Sequence, residues 1–95
     1  MIIQYNCEFI QEKLSKGGQL IDVRTPNEFN MGALKGAINM PISHFQVLKD
    51  DIDENKPVLL YCRTGARSEM VKNYLIQLGF TQVHNIGGLQ QFAAC

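Results

Sequence analysis

The sequence predicts an α/β fold organised around a mostly parallel sheet, and three observations carry that expectation. Leu20-Ile21-Asp22-Val23 and Val58-Leu59-Leu60-Tyr61 are short apolar runs without the polar alternation of a half-exposed strand. Such runs mark strands buried on both faces, as in a parallel sheet. The segments around them carry apolar residues at helical spacing, and strands alternating with helices give layers of helix on sheet. Finally, 95 residues suffice for one compact core and not for two, so one domain over residues 1–95 is expected.

Taken in order, Ile2-Ile3 could add an edge strand. Asn6 can cap a helix whose apolar stripe is Cys7, Ile10 and Leu14, closing at Gly17-Gly18. The strand Leu20 to Val23 follows. Thr25-Pro26-Asn27-Glu28 then reads as a capping box with proline at the first helical position, which predicts a short helix directly after that strand. Ala37-Ile38-Asn39-Met40 is a weaker strand. Ser43 to Ile52 predicts a helix with Phe45, Leu48 and Ile52 inward. After the strand Val58 to Tyr61, Ser68 to Leu78 gives the clearest helix, with Met70, Val71, Tyr74, Leu75 and Leu78 at helical spacing and Gly79 as its stop. Gln82-Val83-His84-Asn85 is a second weak strand.

Composition narrows the function. Hydrophobic residues are 45% of the chain and charged ones 19%, which is globular usage and excludes a disordered, highly charged segment. Nine basic residues balance nine acidic ones, so no positive field draws nucleic acid or anionic lipid, and neither is expected as a partner. No apolar stretch approaches the roughly 20 residues of a membrane span. Met1-Ile2-Ile3-Gln4-Tyr5-Asn6 has no basic n-region or apolar h-region. Cytoplasmic residence is the expectation, or periplasmic if a signal peptide has been removed. Cys7, Cys62 and Cys95 are an odd count without a Cys-x-x-Cys, and neither His44 nor His84 stands at ligand spacing from them. Disulfides, a metal and a cofactor are therefore not expected. Cys7 is expected in the core, Cys95 at a frayed terminus, and both histidines in surface or structural roles.

Cys62 differs in context. In open α/β sheets the functional crevice lies beyond the carboxyl ends of the strands. Cys62 ends the most apolar strand, and Arg63-Thr64-Gly65-Ala66-Arg67-Ser68 leads from it into the strongest helix. A thiol there meets unpaired backbone N–H groups and the positive end of the helix dipole. Arg63 and Arg67 add two cations, and Gly65 permits a positive φ or close approach of an anion. A preformed thiolate beside an anion-binding loop is expected, and it needs no general base.

With these residues stated, the chain resembles the rhodanese-like sulfurtransferases, in particular their short single-domain type. Ile21-Asp22-Val23-Arg24-Thr25-Pro26-Asn27-Glu28-Phe29 is similar to the family's first signature and Gly32 to Pro41 to its second. Cys62 to Ser68 resembles the active-site loop, and Leu78-Gly79-Phe80, Val83 and Asn85-Ile86-Gly87-Gly88-Leu89 resemble the terminal segment. The resemblance implies a three-layer fold with a five-stranded, mostly parallel sheet flanked by helices. It implies that Cys62 forms the persulfide and that Arg63, Thr64, Gly65, Ala66, Arg67 and Ser68 bind the substrate. Asp22, Arg24 and Glu28 become structural supports, with Arg24 pairing with Glu28. Two departures stand out: Gly32-Ala33-Leu34 replaces the usual Gly-His-Ile, and Phe92 stands where a tryptophan commonly follows the double glycine.

The implied activity is thiosulfate sulfurtransfer by a monomer. A small anionic donor such as thiosulfate would load Cys62, and cyanide, a thiol or a protein cysteine would accept the sulfur. The amides and Arg63 or Arg67 would bind donor oxygens. The rivals are a phosphatase or arsenate reductase of the cell-cycle phosphatase type, and an interaction module without turnover. Four residues separate Cys62 from Arg67 where the phosphatase pattern has five, and the loop cysteine argues against a bare module.

Overall fold

The computed structural model describes residues 5–92 and Cys95. Among these residues a four-stranded, wholly parallel sheet carries the fold, in the order β2-β1-β3-β4. The strands are β1 (Gln19–Asp22), β2 (Ile38–Asn39), β3 (Val58–Cys62) and β4 (Val83–Gly88). The helices are α1 (Cys7–Ser15), α2 (Pro26–Asn30), α3 (Phe45–Leu48), α4 (Ala66–Gln77) and α5 (Leu89–Phe92). The sequence predicts a fifth strand, whose candidate Ile2-Ile3 lies outside the described residues. No helix among the described residues is long and apolar enough to cross a membrane.

β3 is an unbroken apolar run because both of its faces are covered. Val58, Leu60 and Cys62 join Ile21, Val23, Phe45, Val71 and Leu75 in one core cluster. Leu59 and Tyr61 point the other way, into a second cluster with Ile10, Leu20, Leu34, Ile86 and Phe92. The period of two along the strand thus sorts its residues between two helix layers, and it places the Cys62 side chain on the α4 side.

The chain runs outward from β1 to β2, then crosses back to β3 and on to β4. The order reverses between β1 and β3, and the carboxyl ends of those two strands are where such a sheet opens a crevice. The loop into α2 and the loop into α4 both start there.

Local signals set the helix starts. Asn6 Oδ1 accepts the Phe9 amide at 2.8 Å. Thr25 and Glu28 form the expected capping box with Pro26 in the first turn. The segment from Ser43 to Ile52 departs from a single helix: it comprises a 3-10 turn at Ile42–His44, the short α3, and a second 3-10 turn at Lys49–Asp51. No side chain caps it, and Asp50 and Asp51 oppose the dipole at its far end. Phe45 and Ile52 are nonetheless buried, as expected.

One residue of α4 and the residue that caps its end depart from their expected burial. The helix begins at Ala66 and turns Ser68, Val71 and Leu75 onto the sheet, which leaves Met70 65% and Leu78 46% exposed. The cysteines correct a further expectation. Cys7 is only half-buried, and it forms a disulfide with Cys95 over a sequence separation of 88. The packing of α5 against the α1 layer through Phe92 and Ile10 brings the two together, a contact that sequence spacing cannot show.

Candidate active site

Cys62 ends β3 with no exposed surface, and the chain then folds over its sulfur. Gly65 makes this possible: its φ of +99° lies in the left-handed region that side chains rarely adopt, and it turns the loop straight into α4. The Gly65 amide consequently donates to Cys62 Sγ at 2.9 Å. Ser68, fully buried in the first turn of α4, places its Oγ 3.5 Å from the same sulfur. Burial by itself pushes the Cys62 thiol up. The hydroxyl and amide of Ser68, with the amides of Gly65 and Thr64, outweigh that effect and hold it below the ordinary thiol value.

The loop residues divide by exposure. Arg63, Thr64 and Ala66 are exposed, Gly65 and Arg67 half-buried and Ser68 buried. Beside the loop a hollow of about 330 Å³ is lined by Arg24, Glu28, Met31, Gly32, Arg63 and Leu89. Arg63 makes no ion pair among the described residues.

Arg67 is held instead of free. Its Nη1 and Nη2 donate to Glu28 Oε1 and Oε2 at 2.7 and 3.0 Å, a two-point pair that ties α4 to α2 across the crevice. Arg67 holds the Glu28 carboxyl down at about 2, against the opposing effect of burial and with help from Thr25.

The expected pairing of Arg24 with Glu28 is therefore corrected. Arg24 pairs with Asp22: its Nη2 lies 2.6 Å from Oδ2 and its Nε 3.0 Å from both carboxylate oxygens. Both residues are buried, and extended backbone puts residues two apart on the same face. Arg24 also donates to the Gly32 carbonyl at 2.7 Å and lies over the Tyr61 ring. Tyr61 Oη in turn accepts the Leu34 amide at 3.0 Å. Asp22 and Arg24 thereby fix the segment that forms one wall of the hollow.

Two features at this site carried no role in the sequence reading. Gly88 lies so close to the loop that a Cβ there would strike the Arg63 carbonyl. Asn85 bonds both Gly65 and Ser68. Each falls within the quoted terminal segment, but neither is a residue type that announces chemistry. His84 and His44 stand away from the sulfur: Nδ1 of His84 lies 3.3 Å from Tyr5 Oη, and His44 contacts Ser43.

The parallel sheet with its cysteine loop fits the rhodanese-like class of fold, and comparison with known proteins shows the same family. A family model described as "Rhodanese-like domain" matches residues 7–95, and the chain belongs to that family. It is 44% identical over 70 residues to the uncharacterized protein YqhL of Bacillus subtilis, a match spanning 74% of this chain and 56%, about half, of that protein. It is 37% identical over 78 residues to the thiosulfate sulfurtransferase PspE of Escherichia coli, covering 77% of this chain and 72% of that one. Among solved structures, a rhodanese with anions from E. coli superposes with a TM-score of 0.71 at 35% identity, covering 80% of this chain and 92% of that chain.

Proposed function

We propose that this protein is a thiosulfate sulfurtransferase that carries sulfur as a persulfide on Cys62. The observation that carries the reading is the tightness of the loop: with four residues between Cys62 and Arg67, the Gly65 amide closes onto the sulfur atom itself, at 2.9 Å. A ring drawn this closely suits one sulfur carried on cysteine better than a tetrahedral phosphate. Arg67, engaged at two points by Glu28, is also not free to clamp a phosphate dianion.

In the first step the Cys62 thiolate attacks the outer sulfur of thiosulfate. The sulfur–sulfur bond of the donor breaks, sulfite leaves with the electron pair, and an anionic persulfide remains. In the second, an acceptor such as cyanide attacks the outer persulfide sulfur, thiocyanate departs, and the thiolate is restored. Cys62 carries one negative charge at each stage, first as thiolate and then as persulfide, and the loop amides stabilise it. Arg63 is the cation available for donor oxygens. The donor would approach past the exposed tip of the loop, Arg63 and Thr64. A thiol or a protein cysteine would take the sulfur by the same displacement.

Steady-state kinetics test the proposal. Thiosulfate with cyanide should give turnover that Cys62→Ser abolishes, and an aryl phosphate should give negligible hydrolysis. Efficient phosphate hydrolysis without sulfur transfer would overturn it. Inserting one glycine between Gly65 and Ala66, which restores the phosphatase spacing, should lower sulfur transfer and raise phosphate or arsenate affinity.

A further inference from the structure

The Ser68 hydroxyl has one proton and three acceptors within reach: Asn85 Oδ1 at 2.7 Å, the Gly65 carbonyl at 3.1 Å and Cys62 Sγ at 3.5 Å. Which of them receives it depends on Asn85, whose amide has only one orientation consistent with its neighbours. The Gly87 amide points at Oδ1 from 3.1 Å. The Gly65 carbonyl and Glu69 Oε1, both acceptors, lie 3.0 and 2.9 Å from Nδ2. Oδ1 therefore faces Ser68 and makes the shortest of the three contacts with its hydroxyl. The Gly65 amide, at 2.9 Å, is thus the closest donor to the sulfur, and the Ser68 hydroxyl reaches it only at 3.5 Å.

Asn85 reaches the loop because of an irregularity in β4. Leu60 pairs with Asn85 but Tyr61 pairs with Gly87, so Ile86 is an extra residue in the ladder. A bulge of this kind bends its strand and re-aims the neighbouring side chain. Gly65 is consequently held from both ends, its N–H on Cys62 Sγ and its C=O on Asn85 Nδ2 and the Glu69 amide.

We propose that Asn85 is a positioning residue for the sulfur-carrying cysteine, clamping the Gly65 carbonyl so that the Gly65 amide stays aimed at Cys62 Sγ while Ser68 is held in place beside it. This rests on the sulfurtransferase reading for its role in turnover, but the effect on the thiol can be read without turnover. The charged groups around the loop are Arg63 at its tip, Arg67 and Glu69 from α4, Glu28 from α2 through Arg67, and the paired Asp22 and Arg24 at the end of β1. Of these, Glu69 bonds Asn85 and its carboxylate is released by Asn85→Ala, while the others are left in place by the substitutions that follow.

The test is the pH dependence of Cys62 alkylation in Asn85→Ala, made both alone and with Ser68→Ala. Losing the hold on Gly65 weakens one hydrogen bond to an anion, so the apparent pKa should rise by about 1, a roughly tenfold loss of thiolate below it. The rise is read in the Ser68→Ala background, where no hydroxyl is freed to donate to the sulfur. If Asn85 acted only by competing for the Ser68 proton, its removal would change nothing with Ser68→Ala, which would overturn the proposal. A variant that is less stable with an unshifted titration would overturn it equally. Asn85→Ser, which also lacks the amide, is read the same way should the alanine variant not fold. Sulfur uptake from thiosulfate by the unaltered protein is measured in parallel. Its absence there would contradict the sulfurtransferase reading while the titration still decides the role of Asn85.

Discussion

Glu28 and Arg67 join α2 to α4 by two parallel hydrogen bonds of 2.7 and 3.0 Å, across the point where the strand order of the sheet reverses. Glu28 serves a second purpose at the same time. Its Oε1 accepts the Thr25 amide at 3.1 Å and completes the cap of α2. One carboxylate therefore fixes both the start of a helix and the geometry of the Cys62 loop.

This sets an acid dependence. The folded Glu28 titrates at about 2 and the unfolded carboxyl near 4.5, so its contribution to stability is full above the unfolded value and is lost as pH falls through the folded one. Denaturant unfolding of the protein and of Glu28→Gln should show a constant difference above pH 4.5 that shrinks as the solution is acidified toward pH 2. A difference that grew on acidification would contradict the pairing.

The two loop arginines should behave differently. Arg63 is exposed and unpaired among the described residues, so Arg63→Ala should raise KM for thiosulfate about tenfold, as expected for loss of a charged contact of roughly 1.5 kcal/mol, and leave kcat largely intact. Arg67→Ala releases α2 from α4 and should lower kcat as well as raise the apparent pKa of Cys62. Equal effects of the two substitutions on KM alone would show that Arg67 also binds the donor.

Gly88→Ala probes the other side of the loop. A methyl group there meets the backbone carbonyl of Arg63, which cannot move without shifting the amides that follow. A displacement on the order of 1 Å in a catalytic loop costs about 10²-fold in rate. The rate of sulfur transfer measured for Gly88→Ala should fall accordingly, and an unaffected rate would mean that the loop accommodates the methyl elsewhere.

The Cys7–Cys95 disulfide closes almost the whole chain. By chain entropy a loop of this length stabilises the fold by about 4.6 kcal/mol. Thermal unfolding with and without reductant, compared with Cys7→Ala, should show that loss. The cystine lies on the face of the sheet opposite Cys62, beside Ile10 and Phe92, so Cys7→Ala and Cys95→Ala should retain substantial turnover.

What could be read in the sequence, and what could not, follows from the range of the interactions involved. β3 was legible because residues buried on both faces leave an unbroken apolar run, and Thr25 with Glu28 because a capping box is complete within four residues. The Cys62 loop was legible because thiol, arginines, glycine and helix start are contiguous. Asp22 with Arg24 had a local signal too, the shared face of residues two apart, but the family resemblance pointed to Glu28 instead. Met70 was misplaced because the face that meets the sheet is set by Ser68, Val71 and Leu75, and Met70 lies about 100° around the helix from Val71. Asn85 and the Cys7–Cys95 bond depend on segments far apart in the chain, meeting only once the sheet and its bulge have formed.

The central claim is that Cys62 carries sulfur, and mass spectrometry of the intact protein after incubation with thiosulfate tests it most directly. The account expects one added sulfur, located by fragmentation on Cys62, absent from Cys62→Ser and removed by cyanide. An unchanged mass in the folded protein, or sulfur found on Cys7 or Cys95 with none on Cys62, would contradict it.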